Sequence, residues 1–184
     1  VSSDTPTGEE RYEHECSAVH AATLFDALLT YGNASAPFGY ASWESLTLEA
    51  GTPLFDTELS GRLPNVLGLR NALDFDKGCY VGQEVVSKVE NRGQPSQRLV
   101  GLRPERRPQG GAAVFAGDAS VGEVTRAVDS PTLDTPIALA VVDYDLETDA
   151  TLTVRVDGEE TAAERTTLPF VEGSDRSGRL PAYR

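Results

Sequence analysis

The strongest constraint on the fold is a change of rhythm after residue 97. Six short runs, residues 98–102, 113–115, 120–128, 137–142, 152–156 and 162–167, are rich in valine, leucine, alanine and threonine. Gly110-Gly111, Gly117-Asp118, Ser130-Pro131 and Asp157-Gly158 punctuate them. Glycine and aspartate tolerate the backbone of tight turns, so short strands separated by such pairs point to antiparallel neighbours closing into a small β-barrel.

Before that point the period is helical or irregular. Apolar residues at Val19, Ala22, Leu24, Phe25, Leu28 and Leu29 follow the i, i+3, i+4 pattern of an amphipathic helix over 19–31, expected to pack on a sheet and to end at Gly32-Asn33. In 43–49, Leu46 and Leu48 alternate with polar residues, which fits a short helix end or a strand equally. Residues 51–76 are rich in loop formers, and 83–90 reads as a helix with Val85, Val86 and Val89 on its apolar side. Asn91-Arg92-Gly93 stops that helix, and Gln94-Pro95 marks a boundary. The chain is therefore expected to be α+β, with one part over 1–94 and a barrel over 95–184.

With 184 residues, 39% of them hydrophobic, the chain can bury one good core or two small ones. Its net charge of -13 argues against nonspecific attachment to nucleic acid or to an anionic membrane. Only Lys77 and Lys88 among the 16 basic residues are lysines, against 29 acidic residues, a bias that suits a high-salt source as well as an ordinary acidic protein. The cysteines, Cys16 and Cys79, have no CxxC spacing, and His14 and His20 have no acidic partner at ligand spacing. Reduced thiols, a cytoplasmic location and no metal site are expected. No apolar run is long enough to span a bilayer as a helix.

One octet concentrates chemistry: Lys77-Gly78-Cys79-Tyr80-Val81-Gly82-Gln83-Glu84. Gly78 and Gly82 permit tight or positive-φ backbone on either side of a thiol that precedes a helix. The positive end of a helix and a nearby lysine favour the thiolate, so Cys79 and Lys77 are candidates for a nucleophile, a redox site or a metal ligand. The competing reading is a glycine-rich helix entry around a small buried cysteine.

The octet resembles the signature of the YgfZ folate-binding family, relatives of the glycine cleavage T-protein (aminomethyltransferase). The similarity extends to Gly51-Thr52-Pro53-Leu54-Phe55, Glu58-Leu59, Pro64-Asn65, Gly68-Leu69 and Arg98-Leu99-Val100-Gly101-Leu102, and is strongest over 43–102. It implies that 1–94 is the C-terminal part of an aminomethyltransferase-like folate-binding domain, that a barrel follows, and that a long N-terminal half precedes. Thr7-Gly8-Glu9-Glu10-Arg11-Tyr12-Glu13 is similar to the family's Gly-Glu-x-x-aromatic-Glu element, placing a pterin contact on Glu9 with Tyr12 beside it. Tetrahydrofolate is the implied cofactor, and Glu49, Gly78, Tyr80, Gly82, Gln83 and Glu84 join the cofactor-binding candidates. Thr47 departs from the family, where an arginine commonly stands two residues before the counterpart of Glu49, and threonine lacks the arginine's charged fork.

Three functions follow. The resemblance first implies a folate-linked accessory factor for iron-sulfur cluster assembly or repair, working through Cys79 with iron-sulfur client or assembly proteins as partners. The alternative is a tetrahydrofolate-dependent aminomethyltransferase of the T-protein type. The third is a noncatalytic protein-binding module in which Cys79 is merely buried.

Overall fold

The computed structural model describes residues 2–4, 7, 11–74, 76–172, 180, 181 and 183. β1 (Ser2–Asp4) and β2 (Arg11–Glu13) pair antiparallel as a separate two-stranded sheet. Among the described residues three α-helices follow: α1 (Ala21–Tyr31), α2 (Tyr40–Glu49) and α3 (Gln83–Arg92). Then come β3 (Gln97–Pro104), β4 (Ala113–Ala116), β5 (Ala119–Ser130), β6 (Thr135–Asp143), β7 (Leu152–Val156) and β8 (Glu159–Thr166). These six form a closed antiparallel barrel in the order β3-β6-β5-β4-β7-β8, with β8 returning to pair with β3.

All six expected strands coincide with observed ones to within three residues at either end. Turn chemistry explains part of this agreement. Asp157 (φ 52°) and Gly158 (φ 86°) are both left-handed between the paired Val156 and Glu159, the two-residue turn whose twist matches that of its strands.

β6 explains how the barrel holds the rest of the chain. Its Ala138, Ala140 and Val142 belong to the barrel interior with Val100, Leu102, Val114, Val124 and Val154. Its alternate residues Ile137, Leu139 and Val141 belong to a second core outside the barrel, with Leu48, Leu67, Leu69, Leu99 and Phe170. A strand buried on both faces reads as a continuous apolar run, as Ile137-Ala138-Leu139-Ala140-Val141-Val142 does. Each large side chain in that outer layer is worth about 1.5–3 kcal/mol of burial. Residues on the two sides of Gln94-Pro95 thus share a core. The backbone joins them too: Phe170 and Val171 N–H groups donate to the Glu49 carbonyl at 2.9 and 3.3 Å.

One open alternative is settled and two local expectations are corrected. The 43–49 stretch belongs to a helix, α2, whose last turn buries Thr47, Leu48 and Glu49 against β5 and β6 while Leu46 stays 41% exposed. The two-residue leucine spacing reflected one buried and one outward residue, not a strand. In α3 it is Val86 that is buried, while Val85 is exposed. Helix α1 forms as expected but, among the described residues, packs on no sheet: none of its residues is buried, and Phe25, Leu28, Leu29 and Tyr31 are exposed.

Candidate functional site

The octet forms the approach to α3. Gly82 caps the helix in the left-handed region (φ 90°), and the Gln83 side-chain carbonyl accepts the Tyr80 N–H at 3.2 Å, bracing the turn. Of the two glycines, Gly82 alone has positive φ; at Gly78 a Cβ would meet nothing within 4 Å. Glu84 lies in the first helical turn, beside orphan N–H groups that favour a carboxylate. The Lys77 ammonium sits 4.8 Å from the centroid of the Tyr80 ring, a cation–π contact.

Lys77, Gly78, Tyr80, Gln83 and Glu84 line a cleft of about 560 Å³ together with Pro64, Leu73, Asp74 and Val86. Cys79 is exposed and outside that lining. The reading in which it is a buried packing residue is therefore overturned: the thiol is open to solvent. Cys16 is exposed as well.

The remaining candidates stand elsewhere. Glu9 lies outside the described residues. Tyr12 is on β2 and is exposed. Glu49 is only 5% exposed, and its carboxylate accepts hydrogen bonds from Ser130 Oγ, from the Thr132 N–H at 3.2 Å and from Thr132 Oγ1 at 3.0 Å. Those bonds clamp the end of α2 to the β5–β6 loop. Thr47 is completely buried: its hydroxyl donates to the Trp43 carbonyl at 2.8 Å and accepts from Arg126 Nη1 at 2.8 Å.

Arg126, on β5, also donates to the Thr52 carbonyl at 2.8 Å, and its Nε lies 3.5 Å from a carboxylate oxygen of the wholly buried Glu58. Burial lowers the Arg126 guanidinium from its ordinary range, while Glu58 opposes that shift. A guanidinium thus stands against position 47 after all. It comes from the barrel and is spent on internal partners.

Comparison with known proteins identifies the barrel. Residues 97–172 match the glycine cleavage T-protein C-terminal barrel domain. The barrel is thus of the glycine cleavage T-protein C-terminal type. Aminomethyltransferases of Streptomyces coelicolor and Cutibacterium acnes are both 39% identical to it, over 174 and 175 residues, covering 89% and 91% of this chain. The alignments cover 47% and 46% of those proteins, so the chain spans about half their length. A crystal structure of glycine cleavage system aminomethyltransferase T from Bartonella henselae superposes with a TM-score of 0.77 at 28% identity, over 91% of this chain and 48% of that one. These relatives carry the name of the alternative drawn from the sequence, and they back it better than the YgfZ-type accessory factor.

A further feature lies outside the residues singled out from the sequence. The Arg11 guanidinium lies 4.9 Å from the centroid of the Trp43 ring, and the two residues, with Phe38, Gly39 and Tyr40, line a hollow of about 430 Å³. Phe38 and Tyr40 are strongly exposed. The signal was available in the aromatic cluster of residues 38–43, but nothing local links it to Arg11 on a strand almost thirty residues earlier.

Proposed function

We propose that the chain supports tetrahydrofolate-dependent one-carbon transfer of the aminomethyltransferase type, as the folate-facing half of a longer assembly. The observation that carries this reading is the 39% identity to aminomethyltransferases along nearly the whole of this chain. The Arg11, Tyr40 and Trp43 hollow supplies flat faces suited to a planar heterocycle, and a folate ring would add its own polar edge to Tyr12 and Glu9 nearby in sequence. The fit is partial: Thr47 offers no charge, and Glu49 is engaged with Ser130 and Thr132. Further binding groups must come from the part of the relatives that this chain does not span, and the uncovered apolar face of α1 is the surface assigned to it.

A lost charged hydrogen bond costs about 1.5–3 kcal/mol, or roughly 10- to 150-fold in affinity. Calorimetry should therefore find weak tetrahydrofolate binding to residues 1–184 and much tighter binding to a polypeptide extended to the relatives' length. Micromolar binding to the short chain, or none to the long one, would remove the proposal.

The exposure of Cys79 favours a second reading, the accessory role in iron-sulfur cluster assembly or repair. A reachable thiol can exchange with a soft metal or a sulfur species. Native-state iodoacetamide labelling read by mass spectrometry should modify Cys79 without denaturant, and Cys79→Ser should fold normally while losing the cellular role. Full cellular function in that variant would leave only the transferase reading.

A further inference from the structure

We propose that the cleft between β3, β8 and Tyr183 binds one small oxyanion, a phosphate or carboxylate group, held by Arg98 and Arg165. Among the described residues of this acidic chain, seven arginines reach a carboxylate: Arg11, Arg62, Arg70, Arg106, Arg107, Arg126 and Arg155. Arg103 is exposed to water. Arg98 and Arg165 are half-buried, and among the described residues neither forms an ion pair.

Both side chains border one cleft. Arg98 stacks 5.7 Å from the Tyr144 ring centroid and donates Nη2 to the Leu146 carbonyl, yet its Nε is buried without a hydrogen-bond partner. Nη1 of Arg165 is likewise buried and unsatisfied. Both residues line the same cleft of about 280 Å³, together with Thr148, Thr166, Thr167 and Tyr183.

Two half-buried cations that share a cleft lined by no carboxylate among the described residues are a costly arrangement in an isolated chain, and a bound anion relieves it. Arg165 registers that cost, since burial first and the Arg98 charge second lower its affinity for its proton. Guanidinium forks match the oxygens of carboxylate and phosphate, and the threonine hydroxyls add neutral donors. Tyr183 acts as a wall: its hydroxyl accepts the Leu99 N–H at 2.6 Å and donates to the Val66 carbonyl at 2.7 Å. The cleft is smaller than typical pockets for whole organic ligands, so it suits a free ion or the terminal group of a larger molecule.

The test is thermal melting of the 184-residue chain at fixed pH and ionic strength, with chloride replaced by low millimolar phosphate or by acetate. At those concentrations general exclusion effects are small. A saturable rise in Tm is expected with at least one of the two anions. Response to phosphate alone assigns a tetrahedral anion, and response to acetate assigns a carboxylate. Arg98→Gln and Arg165→Gln should each raise the apparent Kd at least tenfold, while Arg155→Gln, which removes a surface pair with Glu160, should not. Identical melting in all three anions overturns the proposal even if a variant fails to fold, and so does a response that both cleft variants keep in full.

Discussion

Replacing Arg126 with methionine tests the joint between the barrel and the residues before it. The substitution removes hydrogen bonds to Thr47 Oγ1 and the Thr52 carbonyl, and it takes the cation away from Glu58, which is completely buried. Glu58 would keep the Leu54 N–H at 2.8 Å and the Thr57 hydroxyl at 2.6 Å, two neutral donors for a full negative charge. Removing one member of a buried pair costs about 3–5 kcal/mol, mostly through the charge left behind. For a chain of this size that corresponds to a Tm lowered by about 6–20 °C. The partner variant Glu58→Gln should be similarly harmful, whereas the double variant should be less destabilised than the sum of the two by about 0.5–3 kcal/mol. Urea unfolding of all four proteins measures the cycle. A loss below about 1 kcal/mol for Arg126→Met, or strict additivity, would refute the view that this pair ties the two stretches together.

Two further outcomes are expected. Burial raises the Tyr183 phenol from its ordinary value of 10.0; above about pH 10 the unfolded chain releases that proton while the folded chain retains it. The stability that Tyr183 contributes is therefore complete below about pH 10 and lost as pH rises beyond it, so melting between pH 8 and 11 should decline less steeply in Tyr183→Phe; equal slopes would contradict this. A Cβ at Gly122 would lie 2.2 Å from the Val141 carbonyl oxygen, so Gly122→Ala should cost about 1–3 kcal/mol in urea unfolding, whereas Gly78→Ala, with open space around it, should change stability by less than about 0.5 kcal/mol. Comparable effects of the two substitutions would show that β5 and β6 are not packed as closely as described.

The barrel was legible because its determinants are local. Alternation along β5 and the Asp157-Gly158 turn each specify structure within a few residues, and the doubly buried face of β6 appears as an unbroken apolar run. The candidate site was less so, because its chemistry depends on distant pairings. Glu49 reads as a free carboxylate until Ser130, 81 residues on, is folded against it. Thr47 reads as a lost positive charge until Arg126 arrives from β5. The pattern of α1 was also read correctly as an apolar face, but periodicity says only that a face wants cover, not what covers it. Cys79 illustrates the converse: its composition suited both an exposed thiol and a buried one, and only the fold around α3 separated them.

Closure of the barrel through β3 and β8 has a consequence for synthesis. Residues 97–104 find their partners at 138–143 and 163–166, so the first barrel strand to leave the ribosome waits for the last before the ring can shut. Leu48 and Leu67 wait as well, since the surface that covers them includes Ile137, Leu139 and Phe170. Such late, nonlocal pairing is slow and leaves apolar segments uncovered in the nascent chain. Premature termination anywhere before residue 170 should thus forfeit far more than the missing tail: it would deprive α2 of its resting place and deliver the whole product to chaperones or proteases.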